Sequence, residues 1–367
     1  MNLRNLALVA LAIAFIGPTC ARGGDAPASL GAYAVQADRV TVSGLSSGGY
    51  MAVQLAVAYS SVFSGVGVIA AGPFGCAYTG SGTAADINRA LGPCMTGGYG
   101  WVQRWQCMMF LATCAGNDYP DAEASIRLTQ RMAERHAIDP VAAIRRQRVY
   151  LLSGKQDSKV VPAVVDALQR FYAAFAEPAN IGYDHLDRAA HTFPTEGFVG
   201  GNACSRSSSP YVSDCSYDSA GKLLNQLYGS LKARNDSAPR GSLVEFDQAK
   251  FFPAGSDAGM APTGHAYVPN TCRDGTERCS LHIALHGCRQ TVAEIGKSFI
   301  EGAGYNRWAD TNDIIVLYPQ VRAAANAFDR NPENCWDWWG YTGAAWLEKR
   351  APQMQAIAAM VNHLKSR

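Results

Sequence analysis

The segment Gly44-Leu45-Ser46-Ser47-Gly48 constrains this chain more than any other. It spells G-x-S-x-G. The apolar stretch Arg39-Val40-Thr41-Val42 precedes it, and a small-residue helical pattern from Gly49 to Tyr59 follows. A strand, a sharp turn and a helix in that order are what a nucleophile elbow requires, because the turn lifts the serine hydroxyl above the sheet. The glycines at either end remove Cβ atoms where strand and helix converge. A plain tight turn rich in Gly and Ser is the competing reading. The flanking elements favour the elbow, which makes Ser46 the expected nucleophile.

The first residues read as an export signal over 1–21: Arg4 supplies charge, 6–16 a short apolar core, and Thr19-Cys20-Ala21 a small-residue cleavage site. A lipid anchor on Cys20 is the rival, with Pro18 badly placed for it. No later segment approaches the ~20 apolar residues of a membrane span. The chain has eleven cysteines. Without Cys20 an even set remains, which in an exported chain favours disulfides. No C-x-x-C pair points to a metal. Local spacing suggests Cys204 with Cys215, Cys272 with Cys279 and, more loosely, Cys288 with Cys335. Basic and acidic side chains balance at 32 against 30 with no basic run, which argues against a nucleic-acid partner.

Apolar runs alternate with helical patterns, the mark of a parallel sheet with crossover helices. Strands are expected over 40–42, 63–69, 149–152 and 181–184, then over 266–268, 281–285 and 314–317. Helices are expected over 122–136, 160–175, 219–233 and 352–364. The stretch 74–140, with Trp101 and Trp105, reads either as a cap-like insertion or as disulfide-stapled surface. The stretch 197–239 reads as irregular apart from its one helix. Residues 22–367 are expected to form a single α/β domain.

A serine nucleophile needs a base in contact and an acid to orient that base. In the α/β-hydrolase arrangement these follow in the order Ser, Asp, His. The strand 149–152 exits into Ser153-Gly154-Lys155-Gln156-Asp157, placing Asp157 beyond a strand's C-terminal end, where ligands gather in open parallel sheets. A helix N-cap for the segment from Val160, or a turn former, is its bland alternative. Of seven histidines, His136 and His363 read as surface, His282 lies inside a strand and His265 precedes one. His191, in Ala189-Ala190-His191-Thr192-Phe193-Pro194, has small neighbours that leave its ring free to project. His185 is the rival base, and Asp184 and Asp187 are rival acids that lie too near His191 in sequence.

Leu285-His286-Gly287-Cys288 directly follows an apolar strand. An H-G-G-like loop of this kind supplies one oxyanion-hole amide, and the residue after the nucleophile supplies the other. That assigns the amides of Cys288 and Ser47, with the His286 side chain holding the loop. The loop normally precedes the elbow. Here it follows the histidine, so the fold is expected to be circularly permuted, with 242–367 supplying the early strands.

Taken together, Gly44-Leu45-Ser46-Ser47-Gly48-Gly49-Tyr50-Met51, Ala190-His191-Thr192-Phe193-Pro194, Leu285-His286-Gly287-Cys288, Gly304-Tyr305-Asn306-Arg307-Trp308-Ala309-Asp310, Leu317-Tyr318-Pro319-Gln320 and Asn334-Cys335-Trp336-Asp337-Trp338-Trp339 resemble secreted, single-domain, circularly permuted poly(3-hydroxybutyrate) depolymerases. The resemblance implies the same triad, Ser46, Asp157 and His191, and the same two oxyanion amides. It also implies that tryptophans near Cys335 line a substrate crevice, with Trp336, Trp338 and Tyr341 as candidates. Trp336 and Trp338 share a face if this piece is extended, and Trp339 then points away. No linker or polymer-binding module of the kind the multidomain relatives carry is expected from this sequence. The expectation is a secreted monomeric serine esterase acting on the polyester or its oligomers, with no metal or organic cofactor. A secreted esterase for feruloyl or acetyl esters is the enzyme alternative. A catalytically dead fold that only binds polymer is the non-enzyme one.

Overall fold

A computed structural model describes residues 29–98, 118–326 and 329–367. The export segment, Cys20, Trp101, Trp105, Cys107 and Cys114 lie outside the described residues.

The chain opens with strand β1 (Val35–Leu45), turns at Ser46 and enters helix α1 (Ser47–Ala58). Next come β2 (Gly65–Ile69), helix α2 (Thr83–Leu91), β3 (Arg148–Gly154) and β4 (Ile181–Leu186). A small three-stranded sheet follows, β5 (Phe193–Thr195), β6 (Asn202–Ala203) and β7 (Val212–Asp214) in the order β5-β7-β6, the last two within the stretch expected to be irregular. Strands β8 (Ser242–Asp247), β9 (Thr263–Val268), β10 (Cys279–Leu285) and β11 (Ile314–Tyr318) complete the main sheet, one more late strand than the pattern predicts. Strand β8 escapes the sequence reading because it is a half-exposed edge whose residues do not alternate cleanly.

The main sheet has eight strands in the order β4-β3-β2-β1-β10-β11-β9-β8. Strands β4 to β1, β10 and β11 run parallel, while β9 runs antiparallel to β11 and β8 to β9. Strands β8 to β11 all follow residue 241 in the chain yet form the half-sheet beside β1. This is the permutation expected from the late position of the Leu285-His286-Gly287-Cys288 loop. Gly44 pairs in register with Leu285, so elbow and loop leave the sheet side by side at the C-terminal ends of parallel strands.

The two central strands carry polar groups inward, and each is satisfied. Thr41 Oγ1 lies 2.8 Å from His282 Nδ1, and Ser43 Oγ lies 2.7 Å from His282 Nε2 and 2.7 Å from the Tyr305 hydroxyl. Burial pushes the His282 imidazole down to about 3, so it sits neutral between the two strands. Helix α1 is buried along its whole length; its small residues let it cross the sheet closely. The three disulfides expected from spacing form, and Cys76–Cys94 is a fourth. The first and last described segments meet: the Tyr33 amide donates to Leu364 O at 2.9 Å, and His363 Nε2 donates to Leu30 O at 2.7 Å.

Candidate active site

Ser46 adopts φ 55° and ψ −121°, a backbone strain that L-residues rarely carry and that an elbow imposes. Its amide is fixed to Ile69 O at 2.9 Å, and its carbonyl accepts the Tyr50 amide at 2.9 Å, so strand and helix hold the turn from both sides. The flanking glycines are required by close approach. A Cβ at Gly44 would stand 2.8 Å from Gly49 N, and one at Gly48 would stand 2.8 Å from the Leu285 carbonyl carbon and nearer still to the carbonyl oxygens of Leu285 and His286.

Asp157 sits just beyond β3 and is almost fully buried. Its two oxygens have different tasks. Oδ1 accepts the amides of Lys159 at 2.8 Å and Val160 at 2.9 Å, which fixes the loop. Oδ2 lies 2.8 Å from His191 Nδ1. Asp157 does not cap the following helix, whose N-cap is Val161; one edge of its carboxylate forms a local turn and the other faces the imidazole. Gly154 permits the approach: the carbonyl of Ala189, two residues before the histidine, occupies the space a Cβ would need and accepts the Gln156 amide at 3.0 Å. His191 is further held by its own carbonyl, which accepts from Ser207 Oγ at 3.0 Å. The rival groups lie elsewhere. His185 is exposed on the edge strand beside Ser153, Asp184 accepts from the hydroxyls of Tyr150 and Tyr217, and Asp187 pairs with Lys155.

Ser46 and His191 line one cleft of about 480 Å³, together with Gly287 and Cys288. Ser47 begins α1, where first-turn amides have no intrahelical acceptor. Among the described residues neither the Ser47 nor the Cys288 amide has a hydrogen-bond partner. The Gly287–Cys288 loop is pinned on several sides. Cys288 is bonded to Cys335, the Gly287 amide donates to Gln290 Oε1 at 2.7 Å, and Trp336 Nε1 donates to His286 O at 3.0 Å. His286 Nδ1 donates to Gly287 O at 2.7 Å, and Nε2 accepts the Val321 amide at 3.3 Å. Burial pushes its imidazole down to about 4, which keeps Nε2 an acceptor at neutral pH.

The aromatic segment differs from the expectation. Trp336 is fully buried; it packs on His286 with ring centroids 5.3 Å apart and does not line the cleft. Tyr341 donates to Cys335 O at 2.8 Å and faces a neighbouring polar hollow with Asp257 and Arg322. Trp338 does line the cleft, stacked on Tyr50 at 4.0 Å, and Trp339, expected to point away, lines it as well. The cause is that 336–342 is a compact turn and not an extended strand. The buried Asp337 carboxylate gathers the amides of Gly340 at 2.7 Å, Tyr341 at 3.0 Å and Thr342 at 3.0 Å, so period-two facing does not apply.

The opposite wall comes from the stretch 74–140, though the sequence did not single out its residues. Helix α2 and its exit contribute Ile87, Ala90, Leu91 and Met95. Cys76–Cys94 staples this piece, the Tyr50 hydroxyl donates to Cys94 O, and the Val161 amide donates to Met95 O at 2.9 Å. Leu91 remains 55% exposed, an apolar side chain presented at the cleft. The signal available in the sequence was Tyr50, one helical turn beyond Ser46 and so on the same side of α1. Among the described residues no group of three or more His, Cys, Asp or Glu side chains is placed to hold a metal ion, and no helix is long and apolar enough to cross a membrane.

No family model matches the chain. A poly(3-hydroxybutyrate) depolymerase of Delftia acidovorans is 43% identical over 344 residues, which are 93% of this chain and 62% of that protein, so the chain spans under two thirds of its length. A polyhydroxybutyrate depolymerase of Talaromyces funiculosus is 40% identical over 350 residues, covering 93% of this chain and 94% of that one. The crystal structure of a PHB depolymerase from Penicillium funiculosum superposes with a TM-score of 0.79 at 39% identity, covering 92% of this chain and 99% of that chain. A serine-to-alanine PHB depolymerase complexed with an R3HB trimer superposes equally well at 38% identity. The chain belongs to the poly(3-hydroxybutyrate) depolymerase family.

Proposed function

We infer that this chain is a secreted, monomeric serine esterase that hydrolyses poly(3-hydroxybutyrate) or its oligomers, with Ser46, His191 and Asp157 as its triad. The observation that carries this reading is the convergence of a strained serine and a carboxylate-bound imidazole on one apolar-walled cleft. His191 Nδ1–H donates to Asp157 Oδ2, which leaves Nε2 free to take the Ser46 proton. Oγ attacks the ester carbonyl carbon, and the oxygen's developing charge is met by the amides of Ser47 and Cys288. As the tetrahedral species collapses, the C–O bond to the alcohol breaks and the imidazolium protonates the leaving oxygen. Water, deprotonated by His191, then attacks the acyl carbon and releases the hydroxyacid from Ser46.

The wall carrying Leu91 and Met95 and the facing Trp338 and Trp339 suit a chain of methyl-bearing ester units, since they offer apolar contact with few competing polar groups. This supports reading part of 74–140 as a wall of the site. No cofactor enters the scheme. Ser46→Ala is expected to retain the wild-type melting temperature and lose release of hydroxybutyrate from amorphous polymer, short oligomers and p-nitrophenyl esters alike. Turnover retained in that variant sinks the triad. Turnover of p-nitrophenyl esters by the wild type without any release from polymer or oligomers favours the small-ester alternative.

A further inference from the structure

Resting on that reading, we propose that Lys159 recognises the free carboxylate end of a soluble hydroxyacid oligomer and thereby biases which ester bond is cut. Two cationic side chains line the cleft besides the imidazole, and their surroundings differ. Arg289 faces Glu294 at 3.7 Å and Glu333 at 3.6 Å, and Glu333 itself lines the cleft, so that charge is already answered. Lys159 is exposed and has no carboxylate partner among the described residues. Nearby Lys155, outside the cleft, pairs with Asp187 at 2.6 Å. An ammonium with no carboxylate to answer it, at a cleft whose other cation is already paired, is a place for a ligand's negative charge.

The position of Lys159 indicates which end of the ligand it meets. Its amide donates to Asp157 Oδ1, while Oδ2 of the same carboxylate holds His191, so the lysine leaves the backbone on the imidazole side of the site. The imidazole must protonate the leaving oxygen, and the leaving part of the substrate therefore lies on that side. In a head-to-tail hydroxyacid ester the acyl part keeps the free hydroxyl end and the leaving part keeps the free carboxylate end. When few units remain on the leaving side, that carboxylate comes within reach of the lysine. Helix Pro162–Ala173 starts three residues on, without an acidic residue in its first turn or a side-chain cap, so its dipole adds to the same field.

Solvent-exposed ion pairs are worth little, about two- to fivefold in an equilibrium or rate ratio. The test uses the full chain and a 3-hydroxybutyrate trimer, offered as the free acid and as its neutral carboxamide. The readout is the ratio of kcat/KM for acid over amide. The wild type is expected to favour the acid by about two- to fivefold at roughly 20 mM salt and to lose that preference near roughly 0.5 M. Lys159→Met should bring the ratio to one at both salts, and Lys159→Arg should keep it. A wild-type ratio of one, or a ratio unchanged in Lys159→Met, overturns the assignment and leaves the esterase reading standing. Failure of the wild type to cleave either trimer overturns both.

Discussion

Gly48 offers a sharp test of how elbow and oxyanion loop are built against each other. Gly48→Ala adds one methyl group, and in an ordinary helix that exchange stabilises by up to about 1 kcal/mol. Here the new carbon would stand 2.8 Å from the Leu285 carbonyl carbon and closer to two carbonyl oxygens, whereas real Cβ atoms essentially never come within 3.0 Å of such atoms. All these neighbours are backbone, so no side chain can swing away. Helix α1 and the end of β10 must part by roughly half an ångström or more, an overpacking that costs about 1–3 kcal/mol. The separation also pulls the Cys288 amide away from the Ser46 carbonyl-attacking position. Misplacement approaching 1 Å near a reacting centre can cost about 10²-fold in rate. Thermal melting and kcat/KM on a soluble p-nitrophenyl ester read the two effects, with Gly182→Ala as a control because that Cβ would meet only the Gln226 side chain at 3.3 Å. A Gly48→Ala protein that melts higher than wild type and keeps activity within threefold would refute the close packing.

Asp157→Asn should lower kcat by about 10⁴, because the amide oxygen can still accept the Lys159 and Val160 amides while its NH2 turns the His191 ring to the wrong tautomer; a loss smaller than tenfold on the same ester would remove Asp157 from the triad. His282 and His286 are held down to about 3 and about 4 by burial. The unfolded chain then binds more protons than the folded one, so stability should fall as pH drops below about 6.5 and keep falling through pH 4, by several kcal/mol in total. A melting temperature at pH 4.5 equal to that at pH 7 would contradict it.

The elements that carry the proposed triad were legible because each rests on a short-range rule. A strand followed by Gly44 and Gly48, a strand ending in Ser153-Gly154 before Asp157, and small residues before His191 are local signals whose geometry survives folding. Even the permutation could be read, since the loop at Cys288 stands on the wrong side of the elbow in chain order. The walls of the cleft were not legible in the same way. Trp339 lines the cleft and Trp336 does not because Asp337, buried and saturated with amides, turns the segment in a manner that no periodicity encodes. The α2 wall depends on the Cys76–Cys94 pairing and on a Tyr50 hydroxyl reaching a carbonyl far along the chain, both products of tertiary packing.

The bonding of Tyr33 to Leu364 and of His363 to Leu30 has a topological consequence. With residues 30–33 and 363–364 already side by side, a short tether could join these two segments, and the chain could be reopened in the exposed stretch around Ala238 and Pro239. The rearranged gene would then encode the Leu285-His286-Gly287-Cys288 strand before the serine turn, as in most proteins of this architecture. The buried Asp310 carboxylate accepts from Asn235 Nδ2 at 2.6 Å on one side of that cut and from the Gly241 amide at 2.9 Å on the other, so it would act as a rivet across the break. Linear order and three-dimensional assembly are thus separable in this molecule.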